Sequence, residues 1–100
     1  MSTKKPTKKH VIIRSAQAGV FAGTLAKKEG NEVTLTDARR LWYWEGAASL
    51  SQLAMEGVKS PKACKFAMPL PEITVLGVIE IIPTTEAARK NIDEVPVWKK

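Results

Sequence analysis

The chain has few of the residues that build covalent cross-links, metal sites and nucleophilic catalytic centres. Its 100 residues include one cysteine, Cys64, and one histidine, His10. A single thiol cannot form an internal disulfide or a cysteine-based zinc site, so we expect Cys64 to be a small buried side chain. His10 is the only imidazole available to activate a serine or cysteine nucleophile. The chain is therefore predicted not to be an enzyme, and no metal site or cofactor is expected.

Three further absences exclude whole classes of protein. The sequence has neither a G-x-x-x-x-G-K-[ST] loop nor a G-x-G-x-x-G motif, the two common glycine-rich phosphate-binding loops. The longest apolar run, residues 73–82, is interrupted by Gly77 and Glu80 and is shorter than the roughly 18 residues of a membrane span. Lysine-rich residues 2–9 are not followed by an apolar stretch with a cleavage site, so no secretory signal is predicted. We expect a soluble intracellular protein.

The positive charge of the chain lies at its two ends. Lysine and arginine number 16 against 10 aspartate and glutamate, which gives a net charge of +6. Six lysines lie at the termini: Lys4, Lys5, Lys8, Lys9, Lys99 and Lys100. The remaining body is neutral, whereas a fold that binds duplex nucleic acid usually carries a basic surface. We interpret residues 1–9 as a flexible basic arm, which either keeps the protein soluble or contacts phosphate through its lysines.

Apolar alternation predicts one α+β domain over residues 10–100, built on a small antiparallel sheet. Residues 11–14, 19–27 and 32–36 are predicted to form a meander, with a hairpin turn at residues 29–31. A second turn, over residues 36–38, leads into the segment 39–44. Residues 73–82 are predicted to form the longest strand. Because it is apolar on both faces, it should be covered on both sides, and a second subunit is one candidate cover.

Two short helices are predicted, one between strands and one near the end of the chain. Ser49 followed by Gln52 fits a capping box, and Gly57 is typical of the residue that ends a helix. The second helix is expected to begin after Thr84 or Thr85 and to end at residue 91 or 92.

Half of the aromatic residues of the chain are concentrated beside two arginines. Residues 39–44 read Arg-Arg-Leu-Trp-Tyr-Trp. Guanidinium groups bind phosphate or carboxylate at two points, and aromatic faces stack on bases. Gly46 and the alanines after it leave room for a close backbone approach, and they lead into a helix N-terminus that favours an anion. The pattern predicts a site for a nucleotide-like anion formed by Arg39, Arg40, Trp42, Tyr43 and Trp44.

A structural interpretation of the same segment stays open. In an extended segment alternate side chains face opposite ways, which places Leu41 and Tyr43 on one face and Arg40 with the two tryptophans on the other. The tryptophans would then cover the sheet or form a subunit interface, where tryptophan and arginine are enriched. Asp37 and Glu45 are close enough in sequence to form ion pairs with the arginines.

Three stretches of the chain resemble a family of small proteins from tailed bacteriophages and prophages, known as a domain of unknown function: ARRLWYWEGAASLSQLAMEG, CKFAMPLPEITVLGVIEIIPTTEAA and VPVWK. The resemblance covers nearly all of residues 11–99, and its most specific part is the Arg-Arg-Leu-Trp-Tyr-Trp block. It implies a bacteriophage origin and expression in the cytoplasm of a bacterial host, with association with the virion as the alternative. It implies no catalytic residue.

The chain is also similar to bacteriophage anti-Thoeris sponge proteins, which sequester cyclic ADP-ribose signals and combine a small antiparallel sheet with short helices in oligomers. Together with the cluster of arginines and aromatic residues in an otherwise neutral body, this similarity favours a non-enzymatic homo-oligomer that binds a nucleotide-like ligand to counter host defence. Two alternatives remain open. One is a nucleic-acid-associated protein that uses its lysine-rich tails, and the other is a virion or adaptor protein that binds a host protein. No membrane partner is expected.

Overall fold

The computed structural model describes residues 9–98 and confirms the predicted α+β class, with a six-stranded antiparallel sheet and two helices. The strands are β1 (His10–Ser15), β2 (Gly19–Glu29), β3 (Glu32–Tyr43), β4 (Lys65–Phe66), β5 (Leu70–Val75) and β6 (Val78–Pro83). The helices are α1 (Leu50–Glu56) and α2 (Glu86–Glu94), and a single 3₁₀ turn spans Pro61–Ala63. Within the predicted basic arm, Lys4, Lys5 and Lys8 lie outside the described residues, as do Lys99 and Lys100 at the other end.

The sheet is built around the predicted meander of β1, β2 and β3, which pair in sequence order. The strand order is β4-β3-β2-β1-β6, and β5 also pairs with β3. The first part of β3 pairs with β5, from Val33 opposite Val75 to Ala38 opposite Leu70. Its last part pairs with β4. One strand therefore has different neighbours along its length.

The prediction of one long strand over residues 73–82 is wrong. The segment forms β5 and β6, which are separated at Gly77, a glycine with φ of +69°. β5 pairs with β3 whereas β6 pairs with β1, so the two halves lie at different places in the sheet. The sheet curls so that the strands paired with β5 and β6 approach each other. One contact that shows this is the hydrogen bond from the Val78 amide to the carbonyl of Asn31, at the tip of the β2–β3 hairpin (2.9 Å).

Strand β1 is covered on both faces. Val11, Ile12 and Ile13 are all fully buried. Ile12 belongs to a cluster formed with the helices, whose members include Leu53, Ala54, Phe66 and Ile92. Val11 and Ile13 belong to a second cluster inside the curl of the sheet, whose members include Phe21, Val33, Leu35 and Val75. Both covers of β1 come from this chain, so the double burial needs no second subunit.

The predicted turn at residues 36–38 is a distortion within the continuous strand β3. Asp37 has φ of +50°, and the pairing of β2 with β3 shifts register between Ala22 and Thr24. A Cβ atom at Gly23 would lie 3.0 Å from the Cα of Ala38, so glycine allows the strands to approach closely there. The bent β3 then carries residues 39–43 to β4.

The helix boundaries agree closely with the local sequence signals. The Ser49 hydroxyl accepts from the amide of Gln52 (3.1 Å), whose side-chain oxygen accepts from the amide of Ala48 (2.8 Å). Gly57 ends α1 with φ of +78°, as predicted. Thr85 caps α2 by accepting from the amide of Ala88 (3.1 Å). α2 extends to Glu94, two residues beyond the later predicted end.

Candidate functional site

The two arginines of the predicted site lie in different environments. Arg39 is 4% exposed and is enclosed between the sheet and α2. Its guanidinium donates to four backbone carbonyls: Phe66 (Nη2, 3.3 Å), Ala67 (Nε, 2.9 Å), Ile92 (Nη1, 2.9 Å) and Val95 (Nη1, 2.8 Å). The Ile92 and Val95 carbonyls belong to the C-terminal end of α2, where a cation is favoured. This side chain joins parts of the fold, and the structure does not place it on an exposed surface.

The environment of Arg39 also changes its acidity. Burial lowers the pKa of Arg39 from its ordinary value, and the negative charge of Asp93 opposes this shift. The ordinary pKa of an arginine lies far above neutral pH, so Arg39 stays protonated and keeps its hydrogen bonds to the carbonyls.

Arg40 lies on the opposite face of β3 and is stacked between two aromatic rings. Its guanidinium carbon is 4.7 Å from the centre of the Phe21 ring and 5.2 Å from that of Trp42. The Nε atom is buried and has no hydrogen-bond partner within the described residues. No ion pair joins Arg40 to any residue between 9 and 98, the suggested partners Asp37 and Glu45 included. Leaving a buried donor unpaired costs about 1–3 kcal/mol, so this environment is unusual for an arginine that serves only the fold.

Arg40 lies where two grooves meet. One groove, of about 300 Å³, has Ala38, Trp42, Ala67, Met68 and Leu70 in its walls. The other, of about 290 Å³, is lined by Gln17, Ala18, Thr74, Val75 and Leu76. Phe21, Arg40 and Ile73 line both. We call the two together the Arg40 groove. Among the described residues that line it, Arg40 is the only charged one.

The three aromatic residues of the predicted site do not stay together. Trp42 lines the Arg40 groove and is 58% exposed. Tyr43 points to the other face, as strand alternation requires, but it is exposed and not part of the core. Trp44 follows the end of β3 and packs, half-buried, against the helix-side cluster. Only Trp42 therefore shares the site with Arg40.

Tyr43 belongs to a separate surface cluster. Its hydroxyl donates to the Glu45 carboxylate (2.5 Å), and this hydrogen bond is the main reason that the pKa of Tyr43 lies above its ordinary value. The ammonium of Lys65 lies over the rings of Tyr43 (5.9 Å) and Trp98 (5.5 Å). The Trp98 amide donates to the Phe66 carbonyl (2.9 Å), which attaches the last described residue to β4.

The close approach that was predicted at Gly46 is made by the chain itself. Gly46 has φ of +95°, and a Cβ atom there would overlap the backbone of Lys59. The N-terminus of α1 that follows is already capped by Ser49 and Gln52. The space beside Gly46 is therefore filled by this chain, and the amides of Ala48 and Gln52 at the N-terminus of α1 already have partners.

Phe21, Met68, Leu70 and Ile73 line the groove but were not predicted to be site residues. Phe21 lies on β2 and is fully buried, and Ile73 lies on β5. Met68 lies between β4 and β5, and Leu70 is the first residue of β5. No local signal marks them, because their place in the groove depends on the pairing of β5 with β3.

The other predicted features are placed as follows. Cys64 is buried, as expected, with its thiol near the carbonyl of Ser60 (3.4 Å). Lys9 is exposed, and its carbonyl accepts from the Leu25 amide (2.7 Å). Across residues 9–98, no group of three or more histidine, cysteine, aspartate or glutamate side chains is arranged to hold a metal ion. In the same part of the chain, neither helix has the length and apolar composition needed to cross a membrane.

A protein-family model described as Domain of unknown function (DUF6948) matches residues 8–92. The match includes all six strands and every residue that lines the Arg40 groove. The expected resemblance to a domain of unknown function is thereby confirmed, and the description of the family includes no source and no activity. No curated protein and no solved structure matches the chain.

Proposed function

We propose that the chain, which belongs to the DUF6948 family, is a binding protein for a small aromatic anion of the nucleotide type, which it holds in the Arg40 groove and does not transform. One observation carries the proposal: Arg40 is stacked between two rings in an otherwise uncharged groove, with a buried Nε that has no partner among residues 9–98. An anion in the groove would neutralise a charge that the described residues leave unpaired.

The groove offers two complementary interactions to such a ligand. Stacking on Phe21 and Trp42 restricts the guanidinium, so less side-chain entropy is lost when it binds an anion. The exposed part of Trp42 offers a surface on which a base can stack, an interaction that contributes about 1–3 kcal/mol per base in nucleic-acid complexes. Met68 adds a polarisable thioether at the wall, which is favourable against an aromatic ring.

Titration calorimetry with a panel of cyclic nucleotides and ADP-ribose isomers tests the proposal. The wild-type protein should bind at least one member, and Arg40→Ala should weaken that binding about tenfold or more, the effect of losing a hydrogen-bonded charge. Arg14→Ala is the matched control, because Arg14 is an exposed arginine paired with Glu80 (2.9 Å) on a neighbouring strand. Absence of heat across the panel, or equal affinity in the Arg40→Ala variant, would contradict the proposal.

The fuller form of the hypothesis is a homo-oligomeric bacteriophage protein that sequesters a nucleotide signal in the host cytoplasm and so counters host defence. Its support is the sequence resemblance together with the Arg40 groove. It predicts a particle larger than the 11.0 kDa chain in analytical ultracentrifugation. It also predicts release of intact ligand when the complex is denatured, since a sponge returns what it binds.

A protein partner is the second candidate, and it is favoured by apolar exposure at the same place. Trp42, Met68 and Leu70 are 58%, 55% and 44% exposed and line one groove. Exposed apolar side chains that cluster in this way are typical of interaction surfaces. Under this alternative the virion or a host protein covers the groove, and Met68→Glu should abolish recovery of that partner from infected cells.

A further inference from the structure

We infer that the Arg40 groove selects a ligand with a single negative charge on a flat aromatic framework, and that it discriminates against phosphate monoesters and polyphosphates. The inference rests on the proposed function and narrows its ligand class. It follows from the charges that the fold places in the groove, which differ from those that the sequence predicts.

The sequence predicted two neighbouring cations, and two cations suit a ligand with two or more negative charges. The structure leaves one. Arg39 is enclosed on the other face of β3, where backbone carbonyls accept its hydrogen bonds. Among the described residues that line both parts of the groove, no second lysine, arginine or histidine accompanies Arg40.

A second negative charge on the ligand would lie beside apolar walls. Ala38, Met68, Leu70 and Ile73 cannot donate hydrogen bonds through their side chains. A charge that leaves water without gaining a partner is strongly unfavourable. Both parts of the groove lack another cation within the described residues. The argument from apolar walls applies to the part lined by Met68 and Leu70, because Gln17 and Thr74 can donate hydrogen bonds in the other part.

The volume of each part also limits a ligand that occupies one part alone. Each part is close to 300 Å³, which is at the small end of the range of about 300–1,000 Å³ for ligand pockets. The guanidinium fork matches two oxygens that share one charge, and either a phosphodiester or a carboxylate provides them. The ligand class is therefore an aromatic monoanion, and a cyclic nucleoside monophosphate is its nucleotide representative.

Two adenine nucleotides that differ by one charge provide the test. Adenosine 3′,5′-cyclic monophosphate carries a phosphodiester with one negative charge. Adenosine 5′-monophosphate carries a monoester whose second proton is lost near pH 6, so it approaches two charges at pH 7.5. Calorimetry at pH 7.5 should show the cyclic compound binding about tenfold more tightly, a difference of about 1.4 kcal/mol.

Lowering the pH separates the effect of charge from that of shape. At pH 5 the monoester also carries one charge, so the difference between the two nucleotides should largely disappear. No histidine, aspartate or glutamate is among the described residues that line the groove. The affinity for the cyclic compound should therefore stay the same. A tenfold difference that persists at pH 5 would overturn the inference in favour of shape selection.

A charge-adding variant provides a second, independent measurement. Met68 is 55% exposed in the groove wall, so Met68→Lys adds a cation with little risk to the fold. It should improve the binding of adenosine 5′-monophosphate at pH 7.5 and narrow its difference from the cyclic compound. Leu76→Lys adds a cation at an exposed position in the other part of the groove. The affinities of the two variants for adenosine 5′-monophosphate are then compared.

The outcomes distinguish this inference from the proposed function. If the monoester or adenosine diphosphate binds as tightly as the cyclic compound at pH 7.5, the single-charge inference fails and the proposed function stands. If only indole-3-carboxylate, a flat carboxylate with one charge, binds, the single-charge inference stands with a carboxylate ligand. If neither nucleotide nor the carboxylate binds, both the function and the inference fail.

Discussion

The guanidinium groups of Arg39 and Arg40 lie on opposite faces of β3, although the two residues are adjacent in sequence. Arg39 donates to carbonyls at the end of α2, while Arg40 is stacked between Phe21 and Trp42 beside a groove. Strand alternation separates the two side chains, and the helices cover only one of the faces. The first arginine therefore supports the fold, and the second is available for a ligand.

Replacing Arg39 should destabilise the protein much more than replacing an exposed arginine. Arg39→Met leaves buried carbonyls without their charged donor, and we expect the free energy of unfolding to fall by about 3 kcal/mol. Arg14→Met removes only an exposed ion pair and should cost roughly 0.5 kcal/mol. Urea unfolding of the two variants provides the comparison. Equal midpoints for the two variants would show that Arg39 is not a structural cation.

Gly46 should tolerate alanine less well than Gly19. Both have positive φ, +95° and +105°, so both substitutions introduce backbone strain. At Gly46 the added methyl also meets the backbone of Lys59, whereas at Gly19 nothing lies within 4 Å. We expect losses of about 3 kcal/mol for Gly46→Ala and about 1 kcal/mol for Gly19→Ala, measured by thermal and urea unfolding. A larger loss for Gly19→Ala than for Gly46→Ala would mean that the backbone of Lys59 moves to make room for the added methyl group.

Folding stability should decrease as the pH falls through the range in which His10 titrates. Its Nδ1 lies 2.7 Å from the Thr84 hydroxyl, and burial lowers its pKa below 6.5. The carboxylates of Asp93 and Glu86 oppose this shift, and the guanidinium of Arg89 adds to it. Because the folded pKa is lower, the unfolded chain binds more protons below pH 6.5, and the stability contributed above that pH is lost as the pH falls.

His10→Gln isolates this contribution. The wild-type protein should lose up to about 1.4 kcal/mol more than the variant for each pH unit below 6.5, down to the folded pKa of the histidine. Urea unfolding at pH 7.5 and pH 5.5 gives, for each of the two proteins, the free energy of unfolding that is lost between these pH values. The same loss in both proteins would assign the pH dependence to carboxylates and not to His10.

Trp42 should be the tryptophan most accessible to a quencher and the one that the ligand protects. It is 58% exposed, whereas Trp44 is half-buried against the helix-side cluster. Variants that retain a single tryptophan, with the other two changed to phenylalanine, report each position separately. Acrylamide should quench the Trp42 variant more strongly than the Trp44 variant. Cyclic nucleotide should reduce quenching at Trp42 and leave Trp98, outside the groove, unchanged.

The lysine arm should determine any binding to nucleic acid. The body of the chain is neutral, so contacts to phosphate would depend on Lys4, Lys5, Lys8 and Lys9. Deleting residues 1–9 should flatten the dependence of affinity on salt, because fewer counterions are released. The measurement is fluorescence anisotropy with a labelled oligonucleotide over a range of salt concentrations. An unchanged slope would leave the arm with a role in solubility only.

Features that depend on a few neighbouring residues were predicted correctly. Ser49 and Thr85 cap their helices, Gly57 ends the first helix, and the meander pairs in order. Each depends on contacts within a turn or a hairpin. The strand over residues 73–82 was wrong for the opposite reason. Its two halves are separated by pairing with β3 and β1, and one of the contacts at the bend joins Ser15 to Leu76, 61 residues away.

By itself, the sequence determined the α+β class, the positions of both helices and the concentration of cations and indoles between residues 39 and 44. Periodicity and capping depend on residues that are close together in the sequence, and composition can be determined without any structure. Only the tertiary structure decided which arginine is available, since the carbonyls that bind Arg39 lie between 27 and 56 residues further along the chain. Two of these carbonyls lie at the end of α2, and the other two lie in and beside β4. The helices pack on the Arg39 face of β3 and leave Arg40 and Trp42 uncovered on the other face.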